Sequence, residues 1–100
     1  MSRGFALYEL GEPEEAAAEW LAAVRLDPNE PFARAGLAVG LYGLGQVEEA
    51  TEQYAKALIL DKRYIDTESL RLDVRWKANA LSVLRRLKEA YREGRVDTPR

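Results

Sequence analysis

The segment LYELG, which begins at Leu7, returns as LYGLG, which begins at Leu41, an interval of 34 residues in a chain of only 100. The match continues toward the C-terminus at the same interval, and small residues return as small residues and aromatic residues as aromatic ones. Self-similarity at a fixed interval of this length indicates one supersecondary unit stacked on its copy. The further pairs are Gly11 and Gly45, Ala16 and Ala50, Trp20 and Tyr54, Ala23 and Ala57, Leu26 and Leu60, and Asp27 and Asp61.

Each copy has the pattern of two helices joined by a tight turn. In the second copy, PFARAGLAVGLYGL is the predicted first helix and VEEATEQYAKALIL the second. Gly45 suits the turn because glycine adopts a positive φ without steric cost. Asn29 is the predicted N-cap of the first of these helices. In the first copy, Pro13 and Pro28 mark the start and the end of the second helix. The sequence therefore predicts an all-α fold.

These motifs give the chain its resemblance to the tetratricopeptide repeat (TPR) family, whose unit has 34 residues and an L-G-x2-Y, A-x3-F and P signature. The resemblance implies a right-handed α-solenoid of about three antiparallel helix pairs, similar to the C-terminal part of a bacterial array. The residues that carry it are Ala16-x3-Trp20, Ala50-x3-Tyr54, Pro28 and Leu37-Ala38-x2-Leu41. The departures are Arg34 and Lys62, where the family often has tryptophan and proline, and Leu7 and Leu41 in the aromatic slot.

The repeat interval divides the chain into four predicted segments. Residues 1–30 form a first unit whose first helix is truncated at its start, and residues 31–64 form a second unit. Residues 65–94 form a divergent helix pair that acts as a C-terminal cap, and residues 95–100 form a tail. The last helix is predicted to end at Gly94, and Asn79 falls where the two turn glycines stand in the repeats. Leu84 and Tyr91 replace paired alanines, so the packing of the cap should differ.

The composition excludes several classes of chemistry. The chain has no cysteine and no histidine, which removes the usual metal ligands and the common catalytic bases, and no catalytic residue, metal or cofactor is expected. No apolar run reaches the roughly 20 residues that a membrane-spanning helix needs, and a cytoplasmic location is the expectation. Charge is distributed unevenly, since residues 1–61 carry 4 Lys and Arg against 11 Asp and Glu, and residues 62–100 carry 11 against 6.

The resemblance to TPR proteins implies that the first helices line a concave groove, which holds a peptide or an amphipathic helix of another protein. Tyr8, Tyr42 and Trp76 lie at intervals of 34 and would form an aromatic ladder along this groove, although aromatic residues at such spacing are also typical of a core. Trp20 and Tyr54 are predicted to be core residues. The predicted lining residues are Phe5, Tyr8, Glu9, Phe32, Ala35, Val39, Tyr42, Gly43, Asp73, Trp76 and Lys77.

Three alternatives to a peptide-binding scaffold remain at this point. An enzyme would have to use carboxylates, and these lie mainly at predicted helix starts, where the helix dipole explains them. RNA binding would depend on the basic C-terminal helices, while the repeats themselves carry the acidic excess. Self-association would use the N-terminal end, where an apolar surface near Phe5 and Leu7 is predicted to be exposed.

Overall fold

The computed structural model describes residues 3–65 and 78–97, and these contain five α-helices, one 3-10 turn and no strand. The predicted all-α fold is confirmed, and the helices pack against their neighbours as in a TPR-like helical solenoid. The division into units and tail stays a prediction. The elements are α1 (Arg3–Glu9), α2 (Pro13–Leu26), α3 (Pro31–Gly43), α4 (Val47–Leu60), the 3-10 turn (Lys62–Ile65) and α5 (Ala78–Asp97).

The turns inside the two hairpins are built identically. Gly11 and Gly45 both have a φ of 81°, and in the described residues no other residue type has a positive φ. In each turn the amide after the glycine donates to the carbonyl four residues before the glycine, at 2.9 Å in the first hairpin and 3.0 Å in the second. This bond satisfies a carbonyl that the helix end leaves without a partner. The prediction of a left-handed glycine turn at Gly45 is confirmed.

The start of α3 differs from the prediction at one residue. The predicted N-cap, Asn29, is wrong, because its amide instead donates to Oδ1 of Asp27 at 3.2 Å. Glu30 takes the capping position, and its Oε2 accepts a hydrogen bond from the amide of Phe32 at 3.1 Å. Pro31 is the first helical residue, so the cap falls on the residue directly before it.

The contact between α2 and α3 depends on glycines that face Trp20. The indole of Trp20 is only 2% exposed. A Cβ added at Gly36 would lie 2.4 Å from the ring, and a Cβ added at Gly4 of α1 would lie 2.6 Å from it. A Cβ at Gly40 would lie 3.0 Å from Cα of Ala17. The helices therefore approach more closely than any side chain would allow, and the prediction that Trp20 is a core residue is confirmed.

Tyr54 joins three elements at the other end of the core. Its side chain is fully buried, and its hydroxyl donates to the main-chain carbonyl of Tyr64 in the 3-10 turn. The ring also meets Tyr91 of α5 edge to face, with centroids 6.0 Å apart. Burial, and then the proximity of Tyr91, raises the pKa of Tyr54 above its ordinary value. The prediction that Tyr54 is a core residue is likewise confirmed.

Helix α5 packs against both α3 and α4, and it places Leu84 and Leu87 in the core with no exposed surface. The turn predicted at Asn79 is wrong, because this residue lies inside the helix. The helix end predicted at Gly94 is also wrong, because α5 continues to Asp97. A glycine inside a helix costs only about 1 kcal/mol relative to alanine, which is too little to stop a helix by itself.

Candidate functional site

An open cleft lies where the C-terminal ends of α1 and α3 meet the first turns of α5. Its volume is about 490 Å³. Three residues predicted for the partner groove, Tyr8, Glu9 and Gly43, are brought together here. The complete lining is Tyr8, Glu9, Gly11, Pro13, Gly43, Asn79, Ser82, Val83 and Arg86.

Tyr8 and Tyr42 occupy matched positions of the two hairpins, and one of them belongs to this cleft. Tyr8 lines it, and Tyr42 lies close enough to raise the pKa of Tyr8. Both side chains are half-buried and pack against the edge of the core. A Cβ added at Gly43 would lie 3.4 Å from Cε1 of Tyr8, so the Tyr8 ring rests on the backbone of α3. The missing side chain at residue 43 thus leaves room for the aromatic wall.

Charged and polar groups complete the rim of the cleft. Nδ2 of Asn79 donates to Oε1 of Glu9 at 3.2 Å, which joins α5 to the end of α1. Burial, followed by the charge of Glu9, raises the pKa of the Tyr8 hydroxyl, and the charge of Arg86 opposes this rise. The hydroxyl of Tyr8 is therefore protonated at neutral pH and can donate a hydrogen bond. The cleft combines an aromatic wall with one carboxylate and one guanidinium.

Other residues of the predicted groove lie in the core. Ala35 and Val39 have no exposed surface, and α5 packs on the helix that carries them. Phe5 is 5% exposed and meets Trp20 edge to face, with centroids 4.9 Å apart. Phe32 is half-buried, and its ring centroid lies 5.4 Å from that of Phe5. In these positions, Phe5, Ala35 and Val39 offer no open surface to a partner.

Three residues of the predicted groove belong to the predicted third helix pair. Asp73, Trp76 and Lys77 lie outside the described residues. Tyr8 and Tyr42 lie near each other, and the aromatic ladder stays a prediction.

The wall that α5 contributes to the cleft was not predicted from the sequence. Asn79, Ser82, Val83 and Arg86 all line the cleft, although none was among the predicted site residues. Their spacing in the sequence does indicate a shared helix face, because Ser82 comes three residues after Asn79 and Arg86 comes four residues after Ser82. That spacing does not reveal which neighbour the face meets, since the packing of α5 depends on contacts distant in sequence.

The described part of the chain shows neither a metal site nor a membrane-spanning helix. In residues 3–65 and 78–97, no group of three or more Asp and Glu side chains is arranged to hold a metal ion. None of the helices described is long and apolar enough to cross a membrane.

Comparison with known proteins identifies the repeat. Residues 1–30, which include α1 and α2, match the model of the family described as tetratricopeptide repeat. No curated protein matches the chain. Repeats of this family are non-enzymatic and generally mediate protein-protein interaction. The match to residues 1–30, together with the recurrence of that hairpin as α3 and α4 at the 34-residue interval, supports a tetratricopeptide-repeat-type protein.

Proposed function

We propose that this chain is a non-enzymatic interaction module that holds a short segment of a partner protein in the cleft between α1, α3 and α5. The observation that carries the proposal is the half-buried Tyr8 ring, which lines an open cleft beside Tyr42. Rigid aromatic side chains bury a large area at a small entropic cost, and they are frequent anchors of protein interfaces. The general role of the repeat family in protein-protein interaction supports this proposal.

The size of the cleft limits the length of the bound segment. An α-helix with its side chains is about 10–12 Å in diameter, so one turn of 5.4 Å fills roughly 500 Å³. The cleft has about 490 Å³, which corresponds to one helical turn or a few extended residues. We therefore propose a short anchor in place of the long groove that the resemblance implied, because Ala35 and Val39 are buried.

The chemistry of the cleft favours a mixed segment. An apolar or aromatic side chain of the partner would pack on the rings of Tyr8 and Tyr42. The Tyr8 hydroxyl and the Arg86 guanidinium would donate hydrogen bonds to its carbonyl or carboxylate groups, and Glu9 would accept from its amides. Bacterial origin, a place at the C-terminus of a longer array and a cytoplasmic location stay predictions.

Peptide selection tests this proposal and does not require the partner to be identified. A random peptide library is selected on the wild-type chain, and the affinity of the chosen peptides is measured by fluorescence anisotropy. We expect Tyr8→Ala and Tyr42→Ala each to weaken binding by about 10- to 30-fold, which corresponds to roughly 1.4–2 kcal/mol. Melting curves followed by circular dichroism should show a smaller loss of stability for Tyr8→Ala than a fully buried tyrosine would cause, because the Tyr8 ring is only half-buried.

The matched control is Ile59→Ala, since Ile59 is an apolar side chain 82% exposed on α4, away from the cleft. Peptides that bind the Tyr8 and Tyr42 variants as tightly as the wild type, or that lose affinity equally with the control, would exclude the cleft as the binding site. A large loss of stability in Tyr42→Ala would instead place Tyr42 among the structural residues.

A further inference from the structure

A second depression adjoins the cleft on the side of α2. It has a volume of about 480 Å³, and Gly11 and Pro13 line both the cleft and this depression. The two therefore form one continuous surface that crosses the turn between α1 and α2. The remaining lining residues of the second depression, here called the acidic depression, are Glu12, Glu14, Glu15 and Leu44.

The apolar surface predicted near Phe5 and Leu7 is not open in the structure. Phe5 is buried, and Leu7 is half-buried against the core. The apolar side chains of α1 at these positions are thus used within the protein, whereas the charged side chains around the cleft face solvent.

Of the two charged groups in the cleft, one is engaged within the protein and the other is not. Glu9 accepts the 3.2 Å hydrogen bond from Asn79. Arg86 is exposed, and in the described part of the chain it makes no hydrogen bond or ion pair. Burial raises the pKa of the Tyr8 hydroxyl and the charge of Arg86 opposes that rise, so the guanidinium lies near the aromatic wall. The charge that the cleft offers to a ligand is therefore a cation on the α5 side.

The acidic depression offers the opposite charge. Glu12, Glu14 and Glu15 are all exposed, and none of them lines the cleft. The side chains of Glu12 and Glu15 lie within hydrogen-bonding distance of each other, and this contact raises the pKa of Glu12. Carboxylates this close repel each other when both are ionised, so a cationic side chain beside them would be favourable. The continuous surface thus changes from positive at α5 to negative at the start of α2.

We propose that the segment held in the cleft is dipolar, with an acidic side chain against Arg86, an apolar or aromatic side chain on Tyr8 and a basic side chain over the acidic depression. This charge order rests on the proposed function, and it adds the chemistry of the partner segment and the direction in which the segment lies. The reverse direction would bring like charges together at both ends, and like charges across an interface oppose binding.

The sizes of the cleft and the acidic depression limit the spacing of the partner's charges. One helical turn with its side chains fills roughly 500 Å³, so each of the two spaces holds about one turn. The acidic and the basic residue of the partner should therefore lie on either side of the anchor residue, within about two helical turns of each other.

Charge exchange at Arg86 tests the α5 end. Peptides selected from a random library on the wild-type chain are synthesised with blocked ends, so that only side chains carry charge, and their affinity is measured by fluorescence anisotropy. Arg86→Glu should weaken binding by about tenfold, and replacing the acidic residue of the peptide with lysine should restore most of the affinity for this variant. Arg92→Glu is the control, because it reverses an exposed cation of α5 that does not line the cleft, and it should change the affinity by less than about twofold.

The start of α2 is tested in the same way, and the repeat supplies a matched control. Glu14→Lys with Glu15→Lys should weaken binding by about tenfold, and replacing the basic residue of the peptide with glutamate should restore it. Glu48 and Glu49 are the repeat equivalents in the first turn of α4, outside the acidic depression. Their double replacement by lysine makes the same change of charge at the same place in a helix, and it should change the affinity by less than about twofold. Circular dichroism verifies that every variant is folded.

Tyr8→Ala separates the failure of the charge order from the failure of the proposed function. Peptides that lose affinity in Tyr8→Ala but bind the charge variants as tightly as the wild type would overturn the charge order and leave the cleft as the binding site. The charge order is also wrong if the control variants weaken binding equally, if exchanging the peptide's charges restores nothing, or if binding requires a free C-terminal carboxylate. If no selected peptide depends on Tyr8, the proposed function fails and the charge order fails with it.

Discussion

Replacing Gly36 with alanine tests the close packing of α2 on α3. The new Cβ would lie 2.4 Å from Cε2 and Nε1 of Trp20, whereas non-bonded carbon atoms prefer about 3.5–4.0 Å. The indole has little room to move, because it is 2% exposed and a Cβ at Gly4 of α1 would also lie only 2.6 Å from it. One of the helices would have to move by about 1 Å to restore an ordinary contact.

Two opposing effects decide the sign of the change. Alanine in place of glycine inside a helix is favourable by about 1 kcal/mol. Overpacking a core typically costs about 1–3 kcal/mol, and we expect the upper end here, since Trp20 is rigid and enclosed. The net destabilisation of Gly36→Ala should be about 2 kcal/mol, which lowers the Tm of a domain of this size by roughly 8–16 °C.

Urea unfolding followed by circular dichroism measures this change, and a double-mutant cycle assigns it to the ring. In a Trp20→Phe background the nearest indole atoms are absent, so Gly36→Ala should cost less than about 1 kcal/mol. Gly43→Ala serves as a matched control, because its Cβ would lie 3.1 Å from the nearest atom, at the last residue of α3. A Gly36→Ala chain as stable as the wild type, or an equal cost in both backgrounds, would refute this account of the helix contact.

Two further predictions concern the turns and the buried tyrosine. Gly45→Ala should lower stability by about 1–2 kcal/mol in urea melts, because residue 45 has a φ of 81° and a side chain is strained there; an unchanged midpoint would contradict this, and Gly11→Ala should behave alike. Tyr54→Phe should cost about 1–1.5 kcal/mol through the lost hydrogen bond to the carbonyl of Tyr64. The pKa of Tyr54 is higher in the folded state than in the unfolded state. The stabilisation that the protonated hydroxyl provides is therefore complete below the unfolded pKa, near 10, and is lost as the pH rises above it. Stability measured across alkaline pH should therefore fall less steeply in Tyr54→Phe than in the wild type, and equal slopes would contradict this assignment.

The features that the sequence predicted well are those that the repeat determines locally. Trp20 and Tyr54 occupy matched positions of the two hairpins, and both are buried. Gly11 and Gly45 likewise adopt the same left-handed turn. Such positions depend on neighbours within one unit, so a recurring residue size is enough to identify them.

The features that were missed depend on contacts between distant parts of the chain. Asn79 was placed in a turn by extending the repeat phase, but it lies in α5 and bonds to Glu9. Ala35 and Val39 have the pattern of groove residues, and their burial becomes visible only once the packing of the whole chain is known. The wrong N-cap of α3 has a local cause. Asn29 and Glu30 both precede Pro31 and both have side chains that can cap a helix, but only Glu30 does so.

The hydrogen bond between Asn79 and Glu9 joins positions 70 residues apart and links the first described helix to the last. In an open array each hairpin contacts only its neighbours, so a terminal hairpin can unravel while the remainder stays ordered. Here one exposed side-chain bond links the end of α1 to the first turn of α5, and α5 also packs on α3 and α4. Opening of α1 should therefore loosen the start of α5, and amide exchange in these two segments should rise together.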